Sequence, residues 1–487
     1  MYKQPSKRKQ LIQRVIIYTI MSLAVVGLVV ALLFVVQGYQ FNRTDGQIEQ
    51  GGLVQFDSVP GGANVTIDGV GLGSPTATKS TLNAGSHLFT MNKNGYKQWQ
   101  KTVNLAPGAV LWLNYARLIP SELKKENVAS FSTVTSSVAS PNEKLIAAKE
   151  DPSVPAFYLI DISGAETKQK ELVFPQGSFT PPVAGKSQQF ILDGWDPSSR
   201  FVLIRHVVND TIEWLVADTQ DISHTKNITA LLNISISKVV FSNADSNIVY
   251  AQTDTDVRKV DINGATMSRP LVSNVAEFSL FDRSTILYTT HLDQSGARTV
   301  GYYEDGAEKP RTIKSFTDNG QIPLHIAFGK YFNEPYLAIA HGDSVEILRG
   351  SLPDDEKDTA KLTRETTVTI PGGAQYLDIR TSGRFVIAQQ NADVYVYDNE
   401  LKQLSKTMLK GEGPVSSNVA WLDNYMLWSN RDGLLRFYEF DGANQSDIMP
   451  VANLSMVTLS SDDTYVYAFT AGESGNVQLT RARLVLP

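Results

Sequence analysis

Two hydrophobic textures divide this chain. Val15 to Val36 are 22 consecutive positions without a charged residue, apolar on every side of a helix. A helix with no polar face belongs in lipid or in the middle of a large core. At 1.5 Å per residue the run is about 33 Å long, enough to cross a hydrocarbon layer of about 30 Å. From residue 52 onward the period changes to two. Strands of four to eight residues rich in Val, Ile, Thr, Tyr and Phe alternate with turn pairs such as Asp68-Gly69, Asn94-Gly95, Asp193-Gly194, Asn263-Gly264, Asp305-Gly306, Asp432-Gly433 and Asp441-Gly442. Asn-Gly and Asp-Gly favour the turns whose twist matches a β-hairpin. No helical stripe follows the apolar run, so the remainder is expected to be all-β.

The flanks of the run set its orientation. Lys3, Lys7, Arg8, Lys9 and Arg14 precede it with no acidic residue among them. Positive flanks stay in the cytoplasm. The expectation is a cytoplasmic basic tail (1–14), a transmembrane helix (15–36) in the cell membrane, a polar stalk (37–51) and an extracytoplasmic remainder. A cleaved signal is disfavoured, because signal h-regions are about 7–15 residues and end in a small-residue site, whereas this run continues into Gln37-Gly38-Tyr39. There is no cysteine in 487 residues, which excludes disulfides, thiolate metal sites and thiol nucleophiles. The formal charge is −6, and beyond residue 14 the chain holds 39 basic against 50 acidic residues. That balance argues against nucleic acid as a partner.

Residues 52–120 form one unit. Its ordered elements are Ser58-x-Pro60-x-Gly62-Ala63, Val65-x-Ile67-Asp68-Gly69, the turn at Gly73-Ser74-Pro75-Thr76, Leu82-x-x-Gly85-x-His87 and Lys93-x-Gly95-Tyr96. This segment resembles the PEGA domain, with Gly61 standing where that family usually has Glu. The resemblance implies a small β-sandwich that mediates envelope or surface-layer contacts.

Residues 121–487 repeat. Eight times a strand runs into a polar turn and then into an apolar strand, as at Ser140-Pro141-Asn142-Glu143-Lys144, Asp196-Pro197-Ser198-Ser199-Arg200, Asn243-Ala244-Asp245-Ser246-Asn247 and Ser461-Asp462-Asp463-Thr464. Four-stranded units repeating at about 40–55 residues are the signature of a β-propeller, whose single blades cannot bury both faces alone. The turn resembles that of TolB-type and WD40-like blades. Eight blades are expected, or seven if one marker belongs to an insertion, with a strand near Val128–Val134 closing the ring on the last strands.

The search for chemistry is mostly negative. No G-x-S-x-G, H-E-x-x-H or P-loop occurs. His87, His206, His224, His291, His325 and His341 are scattered, and Gly69-Val-Gly71-Leu-Gly73 follows a hairpin strand rather than opening a helix. Asp254, Asp256, Asp261 and Asn263 could offer oxygens to calcium but complete no loop, and hairpin turns require the same residue types. The run from Pro353 to Asp358 reads as a solvated loop. His87 reads as structural, and Trp99, Trp112, Trp195, Trp421 and Trp428 as packing residues. No cofactor, metal or catalytic residue is therefore expected, and the binding residues are left open. The expected function is a non-enzymatic, monomeric binding or scaffold protein of a bacterial envelope. Its partner would be an envelope protein or a cell-wall polysaccharide. Two alternatives stand beside it: a propeller-type carbohydrate-active lyase or hydrolase, which would need acidic and basic side chains converging in a funnel, and an envelope sensor signalling through a partner.

Overall fold

The structure is a computed structural model, and it describes residues 7–36, 39–41, 48–283, 285–352, 361–380, 382–413, 415, 417–452, 456–472 and 475–487. The expected loop from Pro353 to Asp358 lies outside them. The apolar run falls within a helix, Lys7–Val36. Its segment Leu11–Phe34 is long and apolar enough to cross a membrane and is exposed along its length, with Phe34 at its end meeting Tyr39 edge-on at 5.0 Å. Length and composition fit a membrane span and a signal sequence alike. Part of the expected stalk is paired: Tyr39–Phe41 lies antiparallel to Ile48–Gln50.

The rest is mostly β and divides into two compact units, Met1–Glu122 with Val485–Pro487, and Leu123–Leu484. In the first, two sheets face each other. Gly52–Val59 sits between Thr78–Leu82 and Val110–Arg117, antiparallel to the former and parallel to the latter. The other sheet has the order Val70–Pro75, Asn64–Ile67, Gly85–Asn92, Trp99–Leu105. Alternation along Gly52–Val59 turns Val54 and Phe56 inward, where Phe56 meets Phe89 at 5.5 Å. Val54, Phe56, Phe89, Trp99 and Leu113 are all at most 2 % exposed, which makes them the core of this unit.

The second unit contains, among the described residues, eight four-stranded antiparallel sheets. Seven are sequential meanders, opening on Ser136–Ala139, Gln188–Trp195, Lys238–Phe241, Val275–Phe281, Leu324–Tyr331, Tyr376–Ile379 and Ala420–Trp421. The eighth joins both ends of the unit: Lys125–Phe131 pairs with Val477–Arg483 beside Tyr465–Ala471 and Val457–Leu459. A strand lying three residues ahead of the expected Val128–Val134 thus pairs with the last strand.

Burial explains the sequence texture. Second strands such as Thr285–Thr290 are buried at every position because a neighbouring sheet covers each face, so they read as continuous apolar runs rather than alternating ones. Fourth strands such as Lys168–Val173 and Gln403–Met408 are largely exposed edges. The first seven sheets pack in series, and the eighth packs on the first. Phe157 and Leu172 of the first meet Phe190 and Ile204 of the second, and Trp214 and Val216 of the second meet Val239 and Val249 of the third. The series continues through Tyr250 with Tyr288, Leu287 with Leu337, and Tyr336 with Tyr397. Phe385 of the sixth sheet stacks on Trp421 of the seventh at 5.7 Å, and Phe131 of the eighth lies 5.5 Å from Tyr158 of the first. Among the described residues after the apolar run, the only α-helix is a short one, Ile228–Leu232, capped by Asn227, with brief 3-10 turns at Ile222–His224 and Arg431–Gly433.

Candidate binding site

The polar turns sit between first and second strands and are built for closure. In three of them a side-chain oxygen at the head of the turn accepts a backbone N–H five residues on. Ser140 Oγ accepts from Leu145 N at 2.9 Å and Ser460 Oγ from Tyr465 N at 2.9 Å. Asp196 Oδ1 accepts from Phe201 N at 2.6 Å. Turn chemistry thus fixes where each first strand ends, and with it what that strand presents on its free edge.

A cavity of about 1020 Å³ runs along those free edges. It is lined by residues from the first strands of the third to sixth sheets, including Lys238, Glu277, Ser279, His325, Tyr376 and Asp378. His325 Nδ1 lies 3.1 Å from Glu277 Oε2, linking the fourth and fifth sheets, and Lys238 Nζ donates to Phe278 O at 2.7 Å. Asp193, on the second sheet's first strand, stands 3.9 Å from Arg205 Nε.

Lys238, Asp193 and Glu277 are reached by water, yet protein surrounds them closely enough to change their protonation. Burial pulls the Lys238 ammonium below its ordinary value, against the pull of Glu277 and Asp193. Burial also pushes the Asp193 and Asp378 carboxyls up. The His325 imidazole holds the Glu277 carboxyl down, outweighing burial. Accessible side chains with desolvated charges are what a narrow water-filled cavity produces. At the turn end, burial lowers Arg380 against the influence of Asp423, Asp378 and Glu143. The Arg380 Nε and Trp421 Nε1 atoms are buried without hydrogen-bond partners. A second cavity, about 800 Å³, lies between the second and third sheets. Its polar groups satisfy one another: Asn247 Nδ2 donates to Asp261 at 2.7 Å, and Arg200 Nη2 lies 2.6 Å from Asp218.

The residues weighed from sequence fall mostly outside these cavities. His87 bridges Asp68 at 2.7 Å and the Asn83 carbonyl at 2.9 Å within the first unit. Gly71 and Gly73 lie inside the strand Val70–Pro75. Asp261 accepts from Gly264 N at 2.8 Å and from Asn247, and Asp256 pairs with Arg258 at 3.2 Å, so both serve their own hairpin. No group of three or more metal-ligating side chains occurs among the described residues. Trp99 is buried, and Trp195 Nε1 donates to Val138 O at 3.1 Å. Trp112 departs from the packing expectation. It is 41 % exposed, because it occupies an outward position of the alternating strand Val110–Arg117. Of the scattered histidines, only His325 lines the larger cavity. Lys238, Glu277, Tyr376 and Asp378 were missed from sequence. The available signal was a polar residue recurring in the otherwise apolar first strands of the third to sixth repeats.

Residues 52–118 match the family model of the PEGA domain. No curated protein matches the chain. Solved structures with a similar fold include the β-propeller domain of Cps50 (Swd1) from Myceliophteria thermophila, at 11 % identity and a TM-score of 0.39, covering 73 % of this chain and 99 % of that one. The Dos1 propeller is similar at 11 % identity and a TM-score of 0.46, with coverage of 75 % and 95 %. An oligogalacturonate lyase in complex with manganese is similar at 9 % identity and a TM-score of 0.41, with coverage of 75 % and 98 %.

Proposed function

We propose that this is a single-pass protein of a bacterial cell membrane that displays a PEGA module and an eight-bladed β-propeller outside the cytoplasm, and that it binds its partner, without catalysis, at the propeller's central channel. The observation that carries the reading is the large cavity itself. It follows the free edges of four consecutive first strands and is lined by polar side chains that water reaches. Eight four-stranded sheets, of which the first seven pack in series and the eighth packs on the first, with the first strand of the unit paired to the last, support the closed eight-bladed ring. The basic residues ahead of the helix support a cytoplasmic N-terminus. The partner is an envelope protein or a cell-wall polysaccharide, and the chain acts as a monomer.

One observation favours the enzymatic alternative. The same cavity holds a carboxyl kept down by a histidine (Glu277) and another pushed up by burial (Asp378), a division of protonation suited to acid–base work. Affinity capture from envelope fractions tests both readings, comparing the detergent-solubilised chain with its Lys238→Ala/Glu277→Ala variant. Binding predicts a partner retained unchanged by the wild type and lost by the variant. Release of a cleaved glycan by the wild type alone would favour the enzyme.

A further inference from the structure

The first strands carry a regularity that the cavity lining alone does not reveal. Six consecutive sheets each place one residue opposite the penultimate residue of the second strand. Ser137 faces Ala148, Gln189 faces Val207 and Lys238 faces Gln252. Glu277 faces Thr289, His325 faces Ala340 and Tyr376 faces Gln389. All six are polar, although the strands around them are largely apolar. In the seventh sheet the matching position is Ala420, opposite Trp428. Taken together, these six matched register positions make up a belt of first-strand side chains. Four of them, Lys238, Glu277, His325 and Tyr376, line the 1020 Å³ cavity, and Ser137 Oγ is buried with no hydrogen-bond partner.

We propose that this belt is a binding site for a neutral, hydroxyl-rich ligand, a stretch of uncharged polysaccharide. The proposal rests on the channel reading given above and names its ligand class. The belt's chemistry points that way. Hydroxyl, amide, ammonium, carboxylate, imidazole and phenol groups stand side by side, so donors and acceptors alternate as vicinal sugar hydroxyls require. Its charges cancel locally, Lys238 against Glu277. A polyanion would meet Glu277 and Asp378, and a polycation would meet Lys238. A neutral polyol satisfies both without leaving a charge unpaired. The volume exceeds what one sugar ring fills and falls in the range of dedicated ligand sites.

Calorimetric titration of the full chain in detergent tests this, with cellohexaose and the N-acetylglucosamine hexamer as neutral probes, and hexagalacturonate and hexalysine as charged ones. At least one neutral oligomer binds, and the charged ones do not. Gln189→Ala, Glu277→Gln and Tyr376→Phe each weaken binding by about tenfold, the loss of roughly one net hydrogen bond. Circular dichroism of each variant confirms folding. The assignment is overturned if no neutral oligomer binds, if a charged oligomer binds instead, or if neutral binding survives all three substitutions. A chain that binds no sugar but still retains an envelope protein through Lys238 and Glu277 would refute the ligand class and leave the display function standing. One that retains neither would refute both.

Discussion

Asp196 shows how much a single turn residue does. Its buried carboxylate accepts from the Arg200 N–H at 2.8 Å, the Phe201 N–H at 2.6 Å and the Ser198 N–H at 3.0 Å, and from the hydroxyls of Ser198 and Ser246. Burial pushes this carboxyl up, but the hydrogen bonds outweigh it and hold it below its ordinary value. Asp196→Ala strands several buried donors and should destabilise the protein by about 2–4 kcal/mol in thermal or urea unfolding. A carboxyl depressed in the folded state contributes stability above its unfolded value and loses it as pH falls through the folded value. The gap between wild type and Asp196→Ala should therefore be full at neutral pH and narrow in acid. Asp378 predicts the opposite sign. Burial raises its carboxyl, so its charge costs stability at neutral pH. Asp378→Asn, which still accepts from Tyr376, should raise the unfolding temperature at pH 7, with the gain fading below the unfolded carboxyl range. Such a gain is expected where a site retains a poorly solvated charge for binding.

At the scale of elements, the turns and second strands were legible in the sequence, and the first and fourth strands less so. Ser140-Pro141-Asn142 and Ser460-Ser461-Asp462 announce themselves because the leading hydroxyl must catch a distant N–H. Runs such as Ile248–Thr253 announce themselves because both faces are covered. Fourth strands like Lys168–Val173 are exposed edges with no apolar pattern to read. Lys238, Glu277 and Tyr376 could not be recognised as site residues one blade at a time. Their matching register shows only across several sheets, and in the fourth it depends on the bulge between Val275 and Glu277. The closing strand was legible as a need, since the final repeat lacked a strand. Phe131 anchors it, 3 % exposed and 5.9 Å from Phe469 of the same sheet and 5.5 Å from Tyr158 of the first. Phe131→Ala should cost about 3–5 kcal/mol. The loss should appear as early proteolysis on both sides of the closure, near residues 125 and 477, rather than at one site.

For the whole molecule, the order of charge, helix and β-rich units carries the argument. Residues 1–14 hold five basic side chains and no acidic ones, and the apolar stretch Leu11–Phe34 is exposed along its length. A helix that exposes Leu23, Leu28 and Leu32 to more than half their area leaves its apolar surface unburied, and in the proposed reading a bilayer covers it. The absence of native cysteine gives a clean test of the resulting topology. Single-cysteine variants at Ser6, ahead of the helix, and at Val183, 57 % exposed on the propeller unit, are labelled in intact cells with a membrane-impermeant maleimide. The account predicts that Val183→Cys reacts in intact cells, that Ser6→Cys reacts only after permeabilisation, and that the protein stays with the membrane fraction at its full mass. A shielded Val183→Cys, a reactive Ser6→Cys, or a shortened soluble product would contradict it.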